Sequence, residues 1–410
     1  MSIKSEDPKI YKLIEAEIER QQNTLDLIPS ENYCSAEVRE AMGSVLANKY
    51  SEGYPGARYY AGQKNIDEVE EIAKDRALKI FKLSPNSWHA NVQPYSGSPA
   101  NTAIYMAVLN FGDKIMGMKL DQGGHITHGL PFSFSGRAFK VVSYGVDPTT
   151  EILDYENIAQ IAKKEKPKMI ICGATAYSRI IDFKKFGEIA KSVGAYLMAD
   201  ISHISGLIVG GVHPSPFPHA DFVMSTTHKT LRGPRGAIII CKKQYAKEID
   251  RAVFPGLQGG PHDHQTAACA ICFGEALDPE FKNYSRQIIK NAQALAKALQ
   301  KLHFRIVSGG TDNHLMLVDL RSIKLTGKDA QLALEDVGIV CNKNTIPNDS
   351  QKPFIGSGIR IGTPALTTRA MKEKDMEIVA ELISNTLNNI KPKNIIQKEV
   401  IKLCKKYPVD

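Results

Sequence analysis

Three short polar segments of this 410-residue chain combine residue types that could hold a cofactor. The first, Ser225–Thr230, places Lys229 among hydroxyl and imidazole groups, with Arg235 between two glycines a few residues later. A lysine that forms a Schiff base must lose its proton, which burial and a nearby cation favour. Taken alone, the same pattern is compatible with a solvent-exposed lysine in a loop.

The second segment is Ala199–His203, in which Asp200 closes an apolar run. Burying a carboxylate there is costly unless a cation pairs with it. A protonated pyridine nitrogen is such a cation, and His203 could lie flat against the same ring. A single Asp at the end of a strand is more often a helix cap.

The third segment, Gln93–Asn101, leads into an apolar helix. Ser98 is the predicted N-cap, and Pro99 suits the first helical turn. A helix start offers free N–H groups and a partial positive charge to a phosphate, and Ser96 and Ser98 can add hydroxyl donors. A capped helix that follows a turn is the simpler alternative.

These segments are embedded in alternating strand and helix patterns. Apolar runs at residues 169–172, 195–200, 222–224 and 237–240 predict buried strands of a largely parallel α/β sheet. Ligands gather at the carboxyl ends of such strands. The order phosphate loop, Asp, Lys resembles the fold-type I group of pyridoxal-phosphate enzymes, which implies pyridoxal 5'-phosphate bound to Lys229.

The remaining patterns predict the domain organisation. Residues 8–22 and 67–83 are predicted helices. After residue 276 come a long amphipathic helix, strands near 304–307, 314–320 and 358–361, and helices at 327–336 and 372–389. We therefore expect an N-terminal helical arm (1–25), a large cofactor-binding domain (26–275) and a smaller C-terminal α+β domain (276–410).

Longer motifs resemble the serine hydroxymethyltransferase family. They are Ser30–Tyr33, Lys49–Tyr60, Gly123–Gly129, Thr226–Thr230, Gly259–His264 and Gly358–Pro364. The resemblance implies reversible conversion of L-serine and tetrahydrofolate to glycine and 5,10-methylenetetrahydrofolate, through an external aldimine and a glycine carbanion. Mild departures are Thr175, where relatives often carry serine, and Ser202, where they often carry alanine.

The resemblance also implies roles for individual residues. Glu52 is the expected general acid–base, and Arg360 is expected to grip the substrate carboxylate with two parallel hydrogen bonds. Expected catalytic residues are Lys229, Glu52, Asp200, His203, Tyr60 and His228. Expected substrate contacts are Ser30, Glu52, Tyr60, His203 and Arg360.

Cofactor and folate contacts follow from the same resemblance. The cofactor set is Tyr50, Ser96, Gly97, Ser98, His125, Thr175, Asp200, His203, Thr226, Lys229, Arg235 and Gly260. The set for tetrahydrofolate, the co-substrate, is Leu120, Gly124, His125, Ile126, Lys352, Pro353 and Phe354. In the family, the counterparts of Tyr50, Tyr60 and Gly260 reach the site from a partner subunit. The resemblance thus implies a homodimer with shared active sites, and a tetramer remains open.

A zinc site is the main competing interpretation of single motifs. His262 and His264 lie close in sequence to Cys269 and Cys272. The surrounding residues 266–277 instead predict an apolar helix with the two cysteines as small core residues. The pair His125 and His128 is better explained by ring stacking, so no metal is expected.

Two other functions are compatible with parts of the sequence. A pyridoxal-phosphate-dependent threonine or 3-hydroxy amino acid aldolase shares the cofactor chemistry but does not need folate. A nucleic-acid-binding regulator would use the formal charge of +8, yet the basic residues form no dense block. The seven cysteines are too few for a disulfide framework, and no apolar run is long enough to span a membrane. We therefore expect a cytoplasmic protein that binds neither membrane nor nucleic acid.

Overall fold

The computed structural model describes residues 2–409, so Met1 and Asp410, the outer ends of the predicted arm and C-terminal domain, lie outside it. The chain packs as two compact units. The larger unit is Cys34–Arg286, and the smaller unit joins the residues up to Tyr33 with those from Gln287 onward. The division falls inside one long helix, Pro279–Lys301.

A seven-stranded sheet forms the centre of the larger unit. Its strands are β4 (Trp88–Asn91), β5 (Lys114–Met118), β6 (Lys140–Tyr144), β7 (Met169–Cys172), β8 (Tyr196–Asp200), β9 (Phe222–Thr226) and β10 (Ala237–Lys242). Their order is β4-β10-β9-β8-β7-β5-β6, in which β10 alone runs against the other strands. The predicted, largely parallel α/β sheet is confirmed.

The predicted strands appear because their residues are apolar on both faces. All four residues of β7 and all five of β9 are buried, as expected for a sheet covered on both sides by helices. The helices of this unit are α3 (Ala36–Met42), α4 (Lys64–Ile80), α5 (Gly97–Val108), α6 (Phe134–Ala138), α7 (Tyr155–Glu165), α8 (Phe183–Val193), α9 (Ser205–Val209), α10 (Ala246–Arg251) and α11 (Asp263–Ala276). A two-stranded hairpin pairs β2 (Gly53–Tyr54) with β3 (Ala57–Arg58).

One prediction about α5 was wrong. The helix begins at Gly97 with Ser96 as its N-cap residue, so Ser98 lies within the first turn and is not the cap. Gly97 allows this early start because the helix approaches β9 closely. A Cβ atom on Gly97 would lie 2.8 Å from Cγ2 of Thr226, a contact that a larger residue could not make.

The smaller unit is an α+β arrangement around its own apolar core. Its antiparallel sheet has the order β11 (Arg305–Ile306), β12 (Leu315–Asp319), β15 (Gly358–Gly362) and β14 (Asn342–Asn344). A short parallel pair joins β1 (Leu25–Asp26) to β13 (Ile339–Val340). The helices are α1 (Ile3–Glu6), α2 (Pro8–Asn23), α13 (Gly327–Glu335), α14 (Pro364–Thr368), α15 (Glu373–Leu387) and α16 (Lys393–Lys406), besides the C-terminal part of α12 (Pro279–Lys301). Among residues 2–409, no helix has the length and apolar character needed to cross a bilayer.

Gly173 lies directly against the backbone of Asp200. It follows β7 with φ of +136°, and a Cβ atom there would lie 2.1 Å from the carbonyl oxygen of Asp200. We predict that Gly173→Ala lowers the free energy of unfolding by about 2–4 kcal/mol, since backbone strain adds to the steric clash. Urea unfolding monitored by far-UV circular dichroism measures this loss.

Gly194→Ala is the matched control. Gly194 also has a positive φ, +68°, but open space surrounds its Cβ position. Its substitution should cost only the backbone strain, about 1 kcal/mol. Equal losses in the two variants would show that contact with Asp200 does not matter.

Candidate active site

Asp200 lies buried at the carboxyl end of β8, near the middle of the sheet. Its Oδ1 accepts hydrogen bonds from the backbone N–H of Ser202 at 3.1 Å and from the Ser202 hydroxyl at 2.6 Å. Its Oδ2 accepts from Nδ2 of Asn101 at 3.0 Å and pairs with Nε2 of His128 at 3.1 Å. Both carboxylate oxygens are therefore held by polar groups.

These neighbours keep Asp200 ionised. Burial by itself raises the pKa of Asp200. Hydrogen bonds from His128 and Ser202, together with the imidazole groups of His128 and His125, outweigh burial and hold the pKa well below its usual range. A negative charge in a buried site attracts a cation.

The loop between β5 and α6 carries His125 to the same place. Asn101 donates from Nδ2 to the hydroxyl of Thr127 at 2.8 Å as well as to Asp200. The Thr127 hydroxyl lies 2.6 Å from Nδ1 of His125, and the Thr127 N–H donates to the same nitrogen. A chain of hydrogen bonds thus runs from Asp200 to His125 and orients the imidazole.

Sequence reasoning assigned no role to Asn101, Thr127 or His128. Asn101 is fully buried inside the apolar helix α5. A buried polar residue on such a helix face must form a hydrogen bond. The sequence therefore carried a signal that Asn101 has a polar partner. For His128, ring stacking was the predicted explanation, in preference to metal binding. Ligand atoms of His125, His128 and Asp200 all lie within 4.8 Å of one another, a closeness that follows from the hydrogen bonds above.

Lys229 lies in the loop that follows β9. It is half-buried, and its carbonyl accepts a hydrogen bond from the N–H of Arg232. The next residue, Thr230, fixes the loop to the segment after β8, because its hydroxyl donates to the carbonyl of His203 and accepts from the N–H of Gly206, each at 3.0 Å. The structure therefore places Lys229 and His203 on two connected loops.

His228, beside Lys229, is uncharged at neutral pH. Burial, with the positive charges of Arg235 and Lys229, lowers the pKa of its imidazole to about 3. A neutral imidazole can still donate or accept one hydrogen bond at each nitrogen. His228 is thus suited to orienting a neighbouring group and not to carrying positive charge.

The start of α5 packs against the end of β9. A Cβ atom on Gly97 would lie 2.8 Å from Cγ2 of Thr226, so the first turn of α5 lies beside Thr226. The buried hydroxyl of Thr226 has no hydrogen-bond partner within residues 2–409. Free N–H groups and an unpaired hydroxyl together suit an anion such as a phosphate.

The predicted folate residues of the larger unit occupy one loop. Leu120 and Ile126 are exposed to 40% and 46%, whereas Gly124 is buried, and a Cβ atom there would lie 2.1 Å from the carbonyl of Met118. Thr175 fixes this loop, since its N–H donates to the carbonyl of Gly123 at 2.7 Å. Two exposed apolar side chains on a fixed loop can receive a flat ring.

A second cluster in the larger unit contains Glu52. The hydroxyl of Tyr50 donates to Oε1 of Glu52 at 3.3 Å, and the Tyr50 and Tyr60 rings meet edge to face at 5.2 Å. Cβ atoms built on Gly259 and Gly260 would lie within 3.2–3.7 Å of the Glu52 side chain. The structure therefore brings together all four predicted residues of this region.

Arg58 holds the backbone around Glu52. Its Nη1 donates to the carbonyls of Ser51 and Gly53, both at 2.8 Å. Its Nη2 pairs with Glu70 at 2.6 Å, and both side chains are only 3% exposed. Burial raises the pKa of Glu70 even beside this guanidinium, so the carboxylate depends strongly on Arg58.

The smaller unit carries the remaining predicted residues. Arg360 lies in the middle of β15, where Nε donates to Oδ1 of Asn342 at 3.1 Å, and burial lowers its pKa to about 10, so it stays a cation at neutral pH. The segment that ends at Ser30 runs beside β15, because the N–H of Gly362 donates to the carbonyl of Leu27 at 2.8 Å. The exposed residues Lys352, Pro353 and Phe354 form a turn before β15.

The cysteines of the possible zinc motif lie in the core of α11, as predicted. Cys269 and Cys272 are buried, and burial raises the pKa of the Cys269 thiol to about 12. Their sulfur atoms face Thr227 and the carbonyl of Leu231. His262 instead stacks on Tyr95, with ring centroids 4.3 Å apart.

The larger unit fits pyridoxal 5'-phosphate. A buried, ionised Asp200 suits a protonated ring nitrogen. The start of α5, with the unpaired hydroxyl of Thr226, suits the phosphate. Lys229 supplies an amine on the loop that follows β9.

A comparison with protein families agrees with this chemistry. The family model described as serine hydroxymethyltransferase matches residues 3–383 of the 410.

The Arg58 scaffold yields a prediction about Glu52. Arg58→Ala leaves Glu70 buried without its cation, and we expect a loss of about 3–5 kcal/mol in the free energy of unfolding. Activity should fall with it, because the backbone on both sides of Glu52 loses its anchor. Urea unfolding and steady-state kinetics measure the two effects.

Arg20→Ala serves as the control, since Arg20 pairs with Glu17 at 2.7 Å but the two side chains are 42% and 50% exposed. Losing this surface pair should cost less than about 1 kcal/mol and leave activity unchanged. An equal loss of unfolding free energy in both variants would show that the buried pair of Arg58 and Glu70 contributes no more to stability than an exposed ion pair.

Proposed function

We propose roles for individual side chains from the premise that this chain belongs to the serine hydroxymethyltransferase family. It is accordingly a pyridoxal-phosphate-dependent transferase that interconverts serine and glycine, with tetrahydrofolate as the one-carbon carrier. The observation that supports the residue roles most strongly is the ionised Asp200, buried between polar partners at the end of β8.

Asp200 would pair with the protonated ring nitrogen of the cofactor. When bound, pyridoxal phosphate supplies an electron sink for negative charge at the substrate Cα. His125 and His203 would contact the ring, and Lys229 would provide the amine that anchors the cofactor. The neutral His228 orients Lys229 without adding positive charge beside it.

The start of α5 would hold the phosphate, through N–H groups of Gly97 and Ser98 and the hydroxyls of Ser96 and Thr226. This role is supported by the close packing of Gly97 on Thr226, where a Cβ atom would lie 2.8 Å from Cγ2 of Thr226. It is also supported by the Thr226 hydroxyl, which has no hydrogen-bond partner within residues 2–409. Further cofactor contacts in the proposal are Tyr50, Thr175, Arg235 and Gly260.

Substrate and folate use the other predicted residues. Arg360 binds the carboxylate of serine or glycine as a fixed cation, with Ser30 beside it. Glu52 holds and releases the proton when the one-carbon unit moves, and Tyr60 packs near it against Tyr50. The folate contacts in the proposal are Leu120, Gly124, His125, Ile126, Lys352, Pro353 and Phe354.

The protein works as a homodimer in this proposal, and Tyr50, Glu52, Tyr60 and Gly260 complete the partner's site. Exposed aromatic surface supports this, since Tyr50, Tyr59 and Tyr60 are 56%, 81% and 44% exposed. Contiguous exposed apolar surface commonly marks an interface. The seven cysteines are free thiols, which supports a reducing compartment such as the cytoplasm.

The visible absorption spectrum tests the proposed chemistry directly. Cofactor-loaded protein should show a band that glycine alters, and a stronger band at longer wavelength should appear when tetrahydrofolate is added with glycine. The requirement for both substrates separates a folate-dependent enzyme from one that acts on the amino acid alone. The Lys229→Ala variant should lose the starting band, because the amine that anchors the cofactor is gone.

Two outcomes would contradict this assignment. A spectrum that glycine changes but folate does not would point to an aldolase. An unchanged spectrum in Lys229→Ala would show that another amine holds the cofactor.

Mixed dimers test the shared site. We expect purified Lys229→Ala and Glu52→Gln proteins to be nearly inactive, because each lacks one group needed at every site. Heterodimers isolated with two affinity tags should recover about half of the parent specific activity, since one of their two sites is then intact.

The homodimers of each variant, carried through the same tags, are the control and should stay inactive. Heterodimers as inactive as these controls would place Lys229 and Glu52 of one chain in the same site.

A further inference from the structure

Ser202 occupies the space between the ends of two neighbouring strands. It follows Asp200 by two residues, and its hydroxyl lies 2.6 Å from Oδ1 of Asp200, at the end of β8. The same oxygen accepts a hydrogen bond of 3.1 Å from the N–H of Thr226, at the end of β9. Ser202 is itself buried, so water does not compete freely for these contacts.

The direction of these hydrogen bonds is determined by chemistry. A backbone N–H can only donate, so the Ser202 oxygen is the acceptor toward Thr226. Its single proton is then available to Asp200 or to Sδ of Met224, which lies 3.6 Å away. The shorter contact to an ionised oxygen is the stronger one, so the hydroxyl donates to Asp200.

We propose that Ser202 is a positioning residue that fixes the Asp200 carboxylate and couples it to Thr226. This inference rests on the proposed function, in which Asp200 holds the cofactor ring nitrogen and Thr226 holds the phosphate. One hydroxyl would then set the distance between the two ends of the cofactor site. This role does not require Ser202 itself to contact the cofactor or the substrate.

The Ser202 hydroxyl and the other donors to Asp200 hold different parts of the carboxylate. The N–H of Ser202 and its hydroxyl are the two donors to Oδ1, whereas Asn101 and His128 hold Oδ2. Without the hydroxyl, Oδ1 would keep only the longer bond of 3.1 Å from the N–H of Ser202, so the carboxylate would be held less firmly on that side. The Thr226 N–H would also lose this buried acceptor, which is costly.

Electrostatics supports the same role. The Ser202 hydroxyl is one of the groups that lower the pKa of Asp200, after the contribution of His128 and the charge of His125. Tyr105 and Cys172 also face this carboxylate; burial, and secondarily the charge of Asp200, raises the pKa of both. Ser202 therefore favours the ionised form of Asp200, whereas that charge disfavours ionisation of Tyr105 and Cys172.

A double-mutant cycle on cofactor affinity tests the inference. The dissociation constant of pyridoxal phosphate would be measured by fluorescence titration for the parent, Ser202→Ala, Asp200→Asn and the double variant. We expect Ser202→Ala to weaken binding by about 3- to 10-fold in the parent background, as for the loss of one buried hydrogen bond. In the Asp200→Asn background the same change should cost less than about 2-fold, because the charged acceptor is gone.

Two further variants separate positioning from general damage. Ser202→Cys keeps nearly the same shape but is a poor donor, so it should weaken binding as Ser202→Ala does. Ser285→Ala removes another buried hydroxyl, which lies within hydrogen-bond distance of the carbonyls of Gly206 and Phe281, at 3.0 and 2.9 Å. It should leave the dissociation constant unchanged, while urea midpoints show whether each variant is folded.

The outcomes distinguish a failure of the role of Ser202 from a failure of the role of Asp200. An equal loss from Ser202→Ala in both backgrounds, or no loss in either, would overturn the role of Ser202 alone. If Asp200→Asn left the cofactor affinity unchanged, the proposed role of Asp200 would fail, and that of Ser202 with it.

Discussion

Stabilising a buried negative charge at the end of β8 is the constraint on which the site depends. Asp200 would be expensive to keep ionised if burial acted alone. Asn101 from α5, His128 from the loop after β5 and Ser202 from its own loop meet it from different elements. Each element must therefore place its polar side chain within reach of Asp200. These contacts keep the carboxylate ionised before any cation binds beside it.

Close backbone approach brings these elements together. Gly97 allows α5 to start against Thr226, and Gly173 allows the chain after β7 to pass the carbonyl of Asp200. Neither approach would be possible with a Cβ atom. The cluster around Glu52 is held differently, by a buried guanidinium that ties two carbonyls to Glu70. One part of the site is thus built by sterics and the other by electrostatics.

Much of the fold could be predicted because its strands and helices have strong local signals. The buried strands near residues 169, 196, 222 and 237 appear where apolar runs end in polar residues. The start of α5 was misplaced by two residues because Ser96 and Ser98 are both suitable cap residues, and the packing of Gly97 on β9 is not visible in the local sequence. The hydrogen-bond chain through Asn101 and Thr127 also escaped prediction, since it joins residues distant in sequence.

The sequence by itself determined the fold class, the cofactor and the family, because motifs such as Thr226–Thr230 carry their chemistry in consecutive residues. Only the tertiary structure decided which groups surround Asp200 and what supports Glu52. Those contacts depend on how elements distant in sequence meet in space. The bond between Asn101 of helix α5 and Asp200 of strand β8, 99 positions apart, is one example. Local residue types set what a side chain can do, whereas long-range packing sets its partners, its burial and therefore its charge.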